Sequence, residues 1–200
     1  MPNSIILENI SAYEDICEIA RLHLVGLSEG FLSSLGHGFL TLLYQAMVES
    51  DEAVVLCAKD GERPVGFIAG CTNLDEFYKE FRKKYKWKAF RILFKRSFSF
   101  DFIRKILQTN SYADKSRHLP DAELLSIVVL EEYWGSGISG QLLQKFCGEL
   151  VAKGVKELKV IVWAKNIRAN KYYEKQGFVL AETMELVNGQ NSNVYVRKLS

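Results

Sequence analysis

The chain predicts a single α/β domain spanning 1–200. It should hold a mixed, mostly antiparallel sheet with a central parallel pair flanked by helices, and a further helical stretch at 74–119. Three observations carry this reading. The strand-like runs 122–130 and 157–163 are each followed by an amphipathic stretch, 138–152 and 167–175. A strand–helix–strand spacing of that kind returns the chain to a parallel neighbour. Asp60-Gly61 and Asn188-Gly189 each separate two strand-like runs, which is an antiparallel hairpin signal.

The elements follow in order. Residues 3–9 read as a first strand. Ser11-x-x-Glu14 reads as a capping box opening a helix, with Ile16, Ile19, Ala20 and Leu24 at helical spacing. Gly30 to Gly38 is a break, and a second apolar helix with Phe39, Leu40, Leu43 and Met47 follows. Residues 53–58 and 64–72 make the first hairpin, and 178–187 with 192–199 the last. Gly154 and Gly177 stop the two late helices.

The most informative run is Ser126 to Gly140. A β-branched strand (Ile127, Val128, Val129) enters a turn with Gly135 and Gly137, and an apolar helix face (Ile138, Leu142, Leu143, Phe146) starts at once. Glycines let successive N–H groups point the same way, and the helix end adds positive partial charge, so the turn favours a phosphate or pyrophosphate. A tight turn with no ligand is the plain alternative. There is no Gly-Lys-Ser/Thr ending for a triphosphatase loop. Gly135, Gly137 and Gly140 match the dinucleotide pattern formally, but the next strand ends Trp163-Ala164-Lys165 without the acidic ribose ligand.

Composition narrows the class. The chain is 48% apolar and 25% charged, as soluble globular proteins are, and its net charge of +2 favours no polyanionic partner. Cys17, Cys57, Cys71 and Cys147 lack metal-ligand or redox spacing, so no metal site is expected and a reducing cytoplasm fits. No secretory signal and no membrane-spanning run is evident.

Two segments together resemble the GNAT superfamily of N-acetyltransferases: Val129-Leu-Glu-Glu-Tyr-Trp-Gly-Ser-Gly-Ile-Ser and Asn166-Ile-Arg-Ala-Asn-Lys-Tyr-Tyr-Glu-Lys-Gln-Gly-Phe178. The family's later motif is complete here through Asn166, Ala169, Tyr173, Glu174, Lys175, Gly177 and Phe178. The earlier one departs twice: Trp134 stands where Arg or Gln is usual, and Ser139 where Gly or Ala is usual. Residues 121–200 carry the resemblance; 1–73 fit it in element order, and 74–119 do not match it and would be a helical insertion. The resemblance also implies that the central parallel pair is splayed.

The resemblance implies acetyl-CoA as acetyl donor, with no metal, and a small-molecule primary amine as acceptor. The cofactor contacts would come from Ile127, Val128, Val129, Trp134, Gly135, Ser136, Gly137, Ile138, Ser139, Gly140 and Asn166. By the same resemblance Tyr173 would protonate the leaving thiolate; a core tyrosine is the alternative. Glu123 is the candidate base, with Asp121 its neighbour and a water chain a third route. His23, His37 and His118 are scattered, and Ser33, Ser34 and His37 are acceptor-pocket candidates. Acylation of a protein amine, a longer acyl-CoA, or a non-catalytic CoA-binding domain are the competing readings.

The insertion interleaves Arg82, Lys83, Lys84, Lys86 and Lys88 with Phe77, Phe81, Tyr85, Trp87 and Phe90, and Phe94, Phe98, Phe102, Ile103 and Ile106 continue the pattern. It reads as a helical layer with its aromatics buried, as an anionic-lipid surface, or as a homodimer contact. No nucleic-acid motif accompanies it.

Overall fold

The computed structural model describes residues 5–10, 12–95, 118–185 and 191–199. The strands are β1 (Ile5–Asn9), β2 (Ala53–Asp60), β3 (Arg63–Cys71), β4 (Glu123–Val129), β5 (Glu157–Trp163), β6 (Val179–Glu185) and β7 (Asn191–Lys198). The helices are α1 (Tyr13–Gly26), α2 (Phe31–Ser34), α3 (His37–Val48), α4 (Leu74–Lys95), α5 (Ile138–Ala152) and α6 (Ile167–Lys175). The seven strands form one sheet in the order β1-β2-β3-β4-β5-β7-β6. Among the described residues, β4 and β5 are the one parallel pair and the other neighbouring pairs are antiparallel.

The first hairpin closes with Asp60 opposite Arg63, and Gly61 takes a positive φ. Ser11, the tip of the second hairpin at 188–189, and residues 98–106 of the predicted aromatic pattern lie outside the described residues. The residue before α1 is Ala12, which offers no side-chain cap. Within the predicted break, Phe31–Ser34 forms a short helix because Ser33 and Ser34 hydroxyls bond the Leu27 and Phe31 carbonyls, each at 2.6 Å.

Helices α1, α3 and α4 cover one face of the sheet, with Ile19, Leu40, Phe67 and Phe77 fully buried among them. Helix α5 covers the other face, where Leu142, Leu143 and Phe146 meet Leu56, Ile68 and Leu124, and Tyr173 of α6 joins the same core. In α4, Phe77, Phe81, Tyr85, Ala89 and Leu93 recur every fourth residue and are buried. That stripe packs α4 as a layer against the rest of the core, while Trp87 and Phe94 stay exposed. Helix α1 runs close over β4: a Cβ on Gly26 would lie 2.4 Å from a Val128 methyl, so only glycine permits this approach without a shift.

The β4–β5 pairing is brief. Glu123 lies opposite Lys159 and Leu124 opposite Val160, and beyond them the two strands share no ladder. Each remains paired on its outer side, β4 with β3 up to Val129 and β5 with β7 up to Trp163. The carboxyl halves therefore open as a V whose inner edges are not spent on a strand ladder.

Candidate active site

The phase of the β3–β4 ladder decides which β4 peptides face the V. Leu130 N–H donates to Val65 at 2.9 Å, Phe67 lies opposite Val128 and Gly66 opposite Val129. Antiparallel peptides alternate in direction, so Ser126 and Val128 turn toward β3, and Ile127 and Val129 turn toward the V. A bulge sets this phase, because the register passes from Ala69–Ser126 to Gly70–Leu124 and skips Leu125. Val128, one of the predicted cofactor contacts, therefore spends its peptide on β3 and its side chain in the core beside α1. Ile127 and Val129 are the strand residues whose backbone groups turn inward, although the Val129 carbonyl already accepts from the Trp134 indole N–H.

The turn after β4 gathers backbone donors. Gly135 and Gly137 have φ of 79° and 84°, a conformation that costs any other residue strain. Gly137 caps α5 without a side-chain bond. Ser136 N–H and its hydroxyl both turn back to the Tyr133 carbonyl. Among the described residues, the N–H groups of Gly135, Gly137, Ile138, Ser139 and Gly140 meet no protein acceptor. Converging donors at the start of a 15-residue helix fit a diphosphate.

Trp134 is half exposed, and its Nε1–H donates to the Val129 carbonyl at 2.8 Å. Helix α6 closes the other side. Tyr172 donates to the Ser139 carbonyl at 3.0 Å, and the Arg168 guanidinium lies over the Trp134 ring, 3.5 Å from its centre. Asn166 caps α6 by accepting from Ala169 N–H at 3.0 Å, so its side-chain oxygen is occupied and its amide N–H groups face outward.

Tyr173 is 5% exposed, edge-on to Tyr172 and Phe178. Its hydroxyl makes no hydrogen bond among the described residues. Burial raises its pKa above the ordinary phenol value, so it stays protonated at neutral pH and can only donate. Asn170, one turn earlier, anchors the helix. It donates to the Trp163 and Asn166 carbonyls, and its oxygen accepts from Asn193 and Tyr195.

Glu123 is 6% exposed and pairs with Lys159 at 3.7 Å where the strands begin to part; Lys159 also bonds the Pro120 carbonyl. The histidines are not gathered at the site. His23 is a core residue bonded to Tyr44 at 2.6 Å, and burial lowers its pKa to about 4. His37 bonds the Cys17 carbonyl and His118 pairs with Glu182. Ser33 and Ser34 hold the α1–α3 connection, so those side chains are already engaged. A shallow depression lined by Asp51, Thr72, Asp121 and Lys156 lies at the amino ends of β4 and β5, opposite the V. Among the described residues, no group of three His, Cys, Asp or Glu is placed to hold a metal ion, and no helix is long and apolar enough to cross a membrane.

A splayed parallel pair with a donor-lined turn at its mouth is the candidate site of this fold. A model of the acetyltransferase (GNAT) family matches residues 24–178. The chain thus belongs to the GNAT acetyltransferase family, whose acetyl donor is acetyl-CoA. No curated protein matches it in sequence. Among solved structures it resembles SsHAT with a TM-score of 0.75 at 16% identity, over 98% of this chain and 99% of that one. Arabidopsis thaliana NAA60 in complex with acetyl-CoA gives 0.61 at 18%, over 98% and 99%. Aminoglycoside 6′-acetyltransferase type Ii gives 0.62 at 13%, over 98% and 97%. At such identities these likenesses establish the fold.

Three residues of the site escaped sequence reading. Arg168 and Asn170 fall at variable positions of the later motif. Lys159 carries a sequence signal: it is the one charge inside the run Leu158-Lys-Val-Ile-Val162, and a charge there must find a partner once buried.

Proposed function

We propose that the chain transfers an acetyl group from acetyl-CoA to the primary amine of a small molecule, directly within a ternary complex. One observation carries the reading: the inward-facing peptides of Ile127 and Val129 lead straight to the unsatisfied N–H groups of Gly135 to Gly140. The pantetheine arm would pair with the first, and the diphosphate would sit on the second, with Ser136 and Asn166 beside it.

The amine nitrogen attacks the thioester carbonyl; a C–N bond forms and the C–S bond breaks. The Val129 N–H stabilises the oxygen as it gains charge. Tyr173 gives its proton to the departing thiolate and recovers one from solvent. The amine sheds its proton to Glu123, directly or through water; burial on the α4 side of β4 beside Lys159 is consistent with that role. Three cysteines support direct transfer by being unsuited as acyl carriers. Burial pushes Cys57 up to about 12 and raises Cys71 and Cys147. Four free thiols agree with a reducing, cytoplasmic setting.

The acceptor class is tested by following CoA release with a panel of amino sugars, polyamines, amino acids and peptide amino termini. Turnover on small amines and none on peptides is expected. Efficient turnover on peptides alone would move the function to protein acetylation.

A further inference from the structure

We propose that Arg168, laid flat on Trp134, is the side-chain contact to the diphosphate of CoA; this rests on the acetyl-CoA reading above. The guanidinium carbon sits 3.5 Å from the centre of the indole ring. The indole is itself fixed, because Nε1 donates to the Val129 carbonyl at the end of β4. Trp134 immediately precedes Gly135, whose N–H is the first unsatisfied donor of the turn, so the ring that carries the cation is chained to the donor cluster. Stacking leaves the five N–H donors of Arg168 in one plane, open at the edge for a bidentate anion.

Two further facts make this an assignment about a ligand rather than a surface cation at rest. Among the described residues Arg168 pairs with no carboxylate; Glu132, in the short turn after β4, is already paired with Arg63 at 2.8 Å. Moreover, Tyr172, one helical turn on from Arg168, is tied to Ser139 in the first turn of α5. Arg168 and Tyr172 therefore share the α6 face that closes over the anion turn. The indole at position 134 thus carries no charge itself but presents one from another helix. It also bridges the mouth of the V from the β4 side to the α6 side.

The test is the affinity of the whole chain for CoA and for 3′-dephospho-CoA, by calorimetry, in wild type, Arg168→Ala and Trp134→Leu. Dephospho-CoA keeps the diphosphate and lacks the ribose phosphate. Arg168→Ala should weaken both ligands about tenfold and flatten the dependence of binding on salt. Trp134→Leu, which keeps the arginine but removes its shelf, should weaken both several-fold. Both variants should melt within a few degrees of wild type, since Arg168 is exposed. Binding within twofold of wild type in Arg168→Ala would overturn the assignment while leaving the acetyl-CoA reading intact. A loss confined to CoA would place Arg168 on the ribose phosphate and overturn it too. Wild type binding neither ligand would overturn both readings.

Discussion

Lys159 stands directly across from Glu123 in the two-residue stretch where β4 and β5 pair, with Nζ 3.7 Å from Oε2 and both side chains nearly buried. The ion pair pins the strands together just before they part, so it fixes the apex of the V. Removing one member of a buried pair leaves the other charge inside and costs far more than the pair is worth. Lys159→Met should therefore destabilise the fold by about 3 kcal/mol. Urea unfolding checks this; the double variant Lys159→Met with Glu123→Leu should recover most of the loss.

The phenol of Tyr173 offers a cleaner test of chemistry, because its hydroxyl bonds nothing among the described residues. Tyr173→Phe should leave the melting temperature and the acetyl-CoA dissociation constant nearly unchanged. It should lower kcat by about 10²–10⁴-fold. Steady-state kinetics beside calorimetry read both; an unchanged kcat with a large loss of acetyl-CoA affinity would show that the hydroxyl holds ligand and donates no proton.

Asn170 makes the opposite prediction. Its side chain satisfies the Trp163 and Asn166 carbonyls, Asn193 and Tyr195 at once. Asn170→Ala orphans several of these and should cost about 2–3 kcal/mol. Because α6 also carries Tyr173 and Arg168, kcat and CoA affinity should fall together in this variant.

Acid should weaken the fold through His23. Its folded pKa of about 4 lies below the ordinary 6.5, because burial disfavours the charged ring. The unfolded chain then binds the extra proton first. The contribution is complete above about pH 6.5 and lost as pH falls to about 4, amounting to on the order of 3 kcal/mol. Denaturant unfolding across that range should show a shallower acid slope in His23→Gln than in wild type.

Much of this architecture was readable from the chain. The two glycine positions, the complete Asn166–Phe178 pattern and the Asp60-Gly61 hairpin each impose a local conformation, and the fold keeps all three. What was not readable depends on pairings between distant elements. The bulge at Leu125 reverses which β4 peptides face inward, so Val128 looked equivalent to its neighbours and is not. The substitution at 134 looked like a lost charge until α6 brought Arg168 onto the ring. His23 gave no sign of its fate, since its environment comes from Tyr44 and Phe67, each more than 20 residues away.

Titration of the intact chain with acetyl-CoA, followed by calorimetry and thermal unfolding, tests the central claim most directly. One saturable site per chain is predicted. At about 100 times the dissociation constant, binding contributes roughly 2.7 kcal/mol and raises the melting temperature by roughly 5–10 °C. NAD, lacking the pantetheine arm, should produce no shift. No binding of acetyl-CoA, or equal binding of NAD, would contradict the account.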